Sequence, residues 1–190
     1  VKFRLIAFIG TLSLLVACSS QYQKLSGEAG HARDLERWQL SGKIALRTAD
    51  EGHSAVLLWR QNKSDFYISL SGPFGAGRIE IESDNSGAVL RNADGEHYAA
   101  SAEQLFLQLV GMEMPVDMLR WWVRGLPSPN FPISNSQYSD SGRLIGFEQQ
   151  GWQLELSRFQ QQGSLTLPGK IKALQAPYQV KLIIQNWQAI

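Results

Sequence analysis

Trp38-Gln39-Leu40-Ser41-Gly42-Lys43-Ile44-Ala45-Leu46 sets Leu40, Ile44 and Leu46 on alternate positions, with Gly42 in the series between the first two. That is the period of a strand with one buried face, since successive side chains point to opposite sides of a sheet. The pattern continues outward from it. Ala55, Leu57 and Trp59 alternate next, then Phe66, Ile68 and Leu70, then Ile79 and Ile81, with Val89 in a fifth strand and Asn92-Ala93-Asp94-Gly95 as a turn leading to Tyr98. Gly, Asn, Asp and Ser break the runs, as hairpin connections require. Short strand-like runs return in the second half of the chain, at Leu144 to Gln149, Trp152 to Phe159, Leu165 to Leu167, Ile171 to Leu174 and Val180 to Trp187.

Two helices interrupt the strands. Ser101 followed three residues later by Gln104 has the spacing of a capping box. The helix it opens would bury Leu105, Phe106, Leu109 and Val110 and stop at Gly111. A second begins near Pro115, a residue suited to the first helical position. Its apolar face is Met118, Leu119, Trp122 and Val123, with Arg120 and Arg124 on another side, and Gly125 and Pro127 end it. The expected fold is mainly β with helices (α+β): a curved antiparallel sheet with a helical pair packed on it. Val56 to Trp59 and Val180 to Ile184 are apolar on both faces, although an antiparallel sheet with one wet face should be apolar on one. Either helices cover the second face, or the sheet encloses something apolar, or the residues simply pack as core.

The N-terminus reads differently. Lys2 and Arg4 precede an uncharged apolar run from Leu5 to Val16, too short for the ~20 residues of a membrane span but suited to a signal peptide. It ends in Leu15-Val16-Ala17-Cys18, which resembles the lipobox of bacterial lipoproteins, with a small residue before a thiol that can take a diacylglyceryl group. Residues 1–17 are therefore expected to be a signal peptide, 18–36 a lipidated N-terminus and flexible tether beginning at Cys18, and 37–190 a single domain. Ser19 follows the cysteine where an Asp would mark inner-membrane retention. Cleavage would leave 173 of the 190 residues, with 16 basic residues against 17 acidic after the loss of Lys2 and Arg4. A near-neutral chain without a basic stripe argues against a nucleic-acid partner. Cys18 is the one cysteine, so no internal disulfide forms within this chain.

Catalytic and metal chemistry find no constellation. His31, His53 and His97 are scattered without ligand spacing. Gly72-Pro73-Phe74-Gly75-Ala76-Gly77 lacks the Lys-Ser/Thr ending of a phosphate-binding loop and opens a strand. That turn is unusual for another reason. Turns face water, and burying a Phe gains ~1.5–3 kcal/mol, so Phe74 either folds back onto the core or is exposed for a purpose.

The lipobox, the Trp38 to Ala45 strand, Trp59 and the Gly-Pro-Phe-Gly turn occur with Gly111-Met112-Glu113-Met114-Pro115, Leu119-Arg120-Trp121-Trp122 and Gly125-Leu126-Pro127. Gly151-Trp152, Leu167-Pro168-Gly169-Lys170-Ile171 and Asn186-Trp187 complete a set that resembles the LolB family from Cys18 nearly to the C-terminus. The resemblance implies an open, incomplete antiparallel β-barrel of LolA/LolB type, with helices covering an apolar cavity. It implies an outer-membrane receptor, lipid-anchored on the periplasmic face, that accepts lipoproteins from the carrier LolA and inserts them into outer-membrane lipid, as a monomer and with no cofactor. It places the family's apolar membrane-insertion loop at Gly72, Pro73, Phe74 and Gly75. Inward positions expected to line an acyl-chain cavity are Leu40, Ile44, Leu46, Trp59, Phe66, Ile68 and Ile79 on strands, Leu105, Leu109, Leu119 and Trp122 on helices, and Ile184, with Trp187 a further candidate. A structural envelope lipoprotein binding a protein partner is the alternative function; an enzyme acting on lipid is a third.

Overall fold

A computed structural model describes residues 31–72, 77–111, 114–188 and 190. Cys18, Pro73, Phe74 and Gly75 lie outside the described residues. A short 3-10 helix, Ala32–Asp34, leads into six consecutive strands: β1 (Arg37–Arg47), β2 (Gly52–Asn62), β3 (Asp65–Ser71), β4 (Ile79–Asp84), β5 (Gly87–Asn92) and β6 (Gly95–Ala99). Helices α1 (Ala102–Val110) and α2 (Val116–Trp122) follow. The chain then returns as β7 (Ser134–Tyr138), β8 (Leu144–Gln149), β9 (Trp152–Ser157), β10 (Gln160–Gln162), β11 (Leu165–Leu167), β12 (Lys170–Gln175) and β13 (Tyr178–Gln188).

Eleven of these strands form one sheet in the order β6-β5-β4-β3-β2-β1-β13-β12-β9-β8-β7, and β10 pairs with β11 apart from it. Every pairing is antiparallel, and β6 and β7 are free edges, so the sheet is an open, unclosed barrel. Its two halves meet where the first strand pairs with the last. In that pairing Ser41 faces Asn186 while Gly42 faces Ile184, so Gln185 is bulged out. A bulge increases local twist and bends the strand. Gly42 is required there for space: a Cβ on it would lie 2.0 Å from the carbonyl oxygen of Ile183.

The alternation read from the sequence is the alternation of burial. Trp38, Leu40, Leu57, Trp59, Ile68, Ile81 and Leu90 face inward and are buried. The outer side of β2 is bare: Val56 is 50% exposed and Leu58 half-buried, so no helix covers it. The double-sided apolar pattern therefore reflects an apolar inner wall with scattered apolar residues outside, and both helices belong to the inside. Helix α1 packs over β4, β5 and β6. The Ser101 half of its cap is as expected, Ser101 Oγ accepting from the Gln104 backbone N–H at 3.3 Å, but Gln104 Oε1 reaches one residue further back than in a capping box and accepts from the Ala100 N–H at 3.2 Å. Gly111 ends it in the left-handed conformation. Pro115 is the N-cap of α2 rather than its first helical residue.

The narrow end of the barrel is plugged by aromatic rings. Trp38 lies 5.3 Å from both Trp59 and Trp187, and Trp59 lies 6.3 Å from Phe66. The half of the sheet formed by β12, β9 and β8 is packed solid by Ile171, Ala173, Leu154, Leu156 and Phe147. There Trp122 Nε1 donates to Gln149 Oε1 at 2.9 Å, and Gln149 Nε2 donates to the carbonyls of Ser128 and Phe131, both at 2.8 Å. A fully buried amide is tolerated because its donors and acceptor are satisfied. The packed domain also begins before the expected boundary at residue 37, since Leu35 is 7% exposed within the core.

Gly42→Ala is expected to destabilise the fold by about 2–3 kcal/mol, the range for forcing extra atoms into a packed site. Urea unfolding followed by tryptophan fluorescence measures it; an unchanged midpoint would show that β13 yields at the bulge without cost.

Candidate binding cavity

Between the curved β1–β5 half of the sheet and the two helices lies a cavity of about 550 Å³. Strand register explains its wall. Leu57, Leu70 and Ile79 lie side by side across β2, β3 and β4. Trp59, Ile68, Ile81 and Leu90 form the next row toward the plugged end. Leu182 of β13 faces Ile44 of β1. The helical side contributes Phe106, Met114, Val116 and Leu119, so the cavity is walled almost wholly by hydrocarbon and aromatic carbon. Polar groups gather where β1 turns into β2, β3 into β4 and β5 into β6: His53, Ser54, Asn92 and Asp94 line this region, with Gly72 and Gly77, the residues on either side of 73–76. His53 Nε2 is 2.9 Å from Glu51 Oε2 on the surface. Among the described residues no three His, Cys, Asp or Glu side chains come together as metal ligands would.

Of the expected cavity residues, Ile44, Leu46, Trp59, Ile68, Ile79 and Leu119 line this space. Leu40, Leu105, Trp122, Ile184 and Trp187 do not. Each is under 5% exposed in closed core. Leu40 and Trp187 are cross-strand partners within the aromatic plug, Leu105 packs under α1, and Trp122 is held on the solid side by Gln149. Phe66 is half-buried beside Trp59, outside the cavity. The side chain of Leu109 is outside the described set. Leu57, Leu70 and Leu182 share the inward parity of Trp59, Ile68 and Ile184 on their own strands, so alternation could have found them. Phe106, Met114 and Val116 carry no such signal, because their placement depends on how the helices lie across the sheet.

The fold is thus an open antiparallel barrel with an apolar, side-walled hollow, a shape and lining that suit a hydrocarbon guest. Comparison with known proteins narrows this class. The family model described as "Outer membrane lipoprotein LolB" matches residues 36–187. Outer-membrane lipoprotein LolB of Pseudomonas paraeruginosa is 33% identical over 200 residues, covering 98% of this chain and 97% of that one. Its counterpart in Cellvibrio japonicus is 32% identical over 198 residues, covering 98% of each. Among solved structures, a DUF1329 family protein from Desulfovibrio piger superposes with a TM-score of 0.55 at 6% identity. A LolA superfamily protein from Nitrosomonas europaea gives 0.53 at 6% identity; in both cases 83% of this chain and 87% of the other are covered, and the likeness is one of fold. The chain belongs to the LolB family of outer-membrane lipoproteins.

Two substitutions separate the cavity from the core beside it. Leu70→Asp places a carboxylate in an apolar wall without a partner and is expected to weaken binding of a fluorescent fatty-acid probe by at least about tenfold. Trp122→Phe removes the indole N–H from Gln149 and is expected to cost about 1–3 kcal/mol with probe affinity unchanged. Probe titration and thermal unfolding of both variants check this; the opposite assignment of effects would place the guest on the solid side.

Proposed function

We propose that the chain is a lipid-anchored receptor at the periplasmic face of the outer membrane. It takes lipoproteins from the periplasmic carrier LolA, shelters their acyl chains in the cavity, and releases them into outer-membrane lipid. The observation that carries this reading is the apolar cavity together with the position of its rim, which includes both Gly72 and Gly77, the residues on either side of 73–76. Family membership supports it.

On this reading the work is thermodynamic, not catalytic, and the chain acts as a monomer without a cofactor. Each acyl methylene kept from water is worth ~0.8 kcal/mol. Cargo must therefore pass from one apolar enclosure to the next without wetting, downhill in affinity from carrier to receptor to bilayer. Cys18 is the proposed lipidation site, at the head of the 18–36 segment proposed as the tether between lipid and domain. Gly72, Pro73, Phe74 and Gly75 are the proposed membrane-insertion loop: Phe74 enters the headgroup–acyl boundary and brings the cavity rim against lipid. Proline limits the loop's conformations and glycine permits its turns.

Phe74→Glu should then divide two steps. Acceptance of cargo from the carrier uses the cavity and should persist; delivery to liposomes needs membrane contact and should fail, with thermal stability nearly unchanged. A melting curve and a two-step transfer assay with purified carrier, receptor and liposomes test it. Normal delivery by a stable variant would overturn the membrane-insertion role, and a large loss of stability would place Phe74 in the core.

A further inference from the structure

The plugged end of the barrel carries a second cleft, of about 170 Å³, between the first described residues, the β2–β3 turn and α2. Arg124 is at its back and is 6% exposed. Its Nε donates to the carbonyl of Arg120 at 3.0 Å. Its Nη1 reaches the carbonyls of Leu35 at 2.7 Å, Ala32 at 3.3 Å and Arg33 at 3.4 Å. The guanidinium lies 4.3 Å from the ring centroid of Trp121. Nη2 has no acceptor among the described residues.

Every acceptor on Arg124 is a carbonyl dipole; no carboxylate pairs with it among the described residues. Its neighbours have the same sign. Arg120 donates through Nη1 to the Lys63 carbonyl at 3.4 Å and through Nε to the Asp117 carbonyl at 3.3 Å, with Nη2 a distant 3.9 Å from the exposed Asp117 carboxylate. Arg33 and Lys63 complete the cationic lining, and Glu36 is the one acidic residue of the cleft. Burial, and then the charge of Arg120, push the Arg124 guanidinium down to about 10, with Glu36 opposing weakly. The group stays charged at neutral pH, so a desolvated cation stands beside like charges, with Glu36 as the one carboxylate near it and no ion pair to it among the described residues. Removing a charge from water is costly unless it is paired. Among the described residues the cleft holds four cationic residues against one carboxylate, an excess of charge that a bound anion would offset.

We propose that this cleft binds a phosphate group, either inorganic phosphate or the phosphodiester of a lipid headgroup. The Nη2 of Arg124, Arg120 and Lys63 hold it, with Arg33 at the edge. The cleft is small enough for one tetrahedral oxyanion, and guanidinium donors match phosphate oxygens in geometry and charge. Four cationic residues from three chain segments line the cleft, which a tetrahedral, multiply charged group can meet from several sides and a planar, singly charged carboxylate cannot. Occupancy has a structural consequence. The same Arg124 grips the carbonyls of residues 32, 33 and 35, so neutralising the Arg120–Arg124 repulsion strengthens the hold on the junction with the upstream chain. The cleft lies behind the cavity floor: Trp38 lines the cleft, Trp59 lines the cavity, and their rings meet at 5.3 Å.

The test compares the purified Cys18→Ala chain with a variant carrying Arg120→Gln and Lys63→Gln, both at the mouth of the cleft. Thermal unfolding is measured in sodium phosphate, sodium acetate and sodium chloride at equal ionic strength. Phosphate at tenfold excess over its Kd should raise the melting temperature by about 3–5 °C, acetate should not, and the double variant should lose the shift. In NMR titrations the Nε–H of Arg124 and the indole N–H of Trp121 should move with phosphate. Vesicles of phosphatidylglycerol separate the sources. Retention that falls in the double variant assigns a lipid headgroup, whereas a phosphate-dependent shift with equal retention by both proteins assigns free phosphate. The proposal is overturned if neither ligand shifts melting, resonances or retention, if acetate matches phosphate, or if the double variant responds as the parent does.

Discussion

The whole architecture hangs on the pairing of β1 with β13. Strands β1 to β6 form one meander and β7 to β13 the return, and among the described residues the ladder from Gln39–Gln188 to Arg47–Gln179 is the one sheet pairing that joins them. At this joint the backbones approach so closely that residue 42 has no room for a Cβ. The bulge at Gln185 gives β13 an extra residue and adds bend where the two halves meet. The Gly169 carbonyl accepts from the Ile184 N–H at 2.9 Å, so the loop before β12 is tied to the same joint. A flatter junction would leave an open sheet with one greasy face. The bent one allows β1 to β5 to curve around a hollow.

That hollow occupies only one half of the molecule. Opposite it, Trp122, Trp152, Leu154, Leu156 and Ile171 pack without comparable space, and Trp122 and Trp152 rings meet at 6.2 Å. Unfilled apolar volume is destabilising, because its lining atoms lose contacts. The solid half and the tryptophan plug supply the packing that lets the other half remain hollow. Trp59 belongs to both, as the edge of the plug and the floor of the cavity, and its indole N–H is satisfied by Gln61 at 2.9 Å rather than exposed to the hollow. A rigid floor preserves the cavity's shape when it is empty.

The sequence made the direction of side chains legible, but not their depth. Parity along β1 and β13 correctly puts Leu40, Ile44, Leu182 and Ile184 on one face. It says nothing about which lie beyond the floor, and Leu40 and Ile184 do. On α2 the same apolar stripe contains Leu119, which meets the cavity, and Trp122, which meets Gln149; a single turn of helix crosses from hollow to solid. Helix α1 was legible to its ends because capping is local chemistry, written in Ser101, Gln104 and Gly111. Strands β7 and β10 were not. Ser134–Tyr138 is exposed at every position and Gln160–Gln162 is all amide, so neither carries an apolar period. The cavity itself entered through family resemblance, since alternation alone is equally consistent with an ordinary core.

If acyl chains are the occupants, the incomplete closure of the barrel has an energetic role. A sealed pocket would take the full ~0.8 kcal/mol per methylene and would compete with the bilayer it must supply. Here Ile44, Leu46, Leu70 and Ile79 line the cavity yet remain half-buried, accessible from the open side near Gly72, Gly77, Asn92 and Asp94. A guest against them keeps part of its surface within reach of water, so it binds more weakly than in the hydrocarbon of a membrane. On the proposed function, transfer to lipid then gains the remaining burial, and that gain favours release toward the membrane.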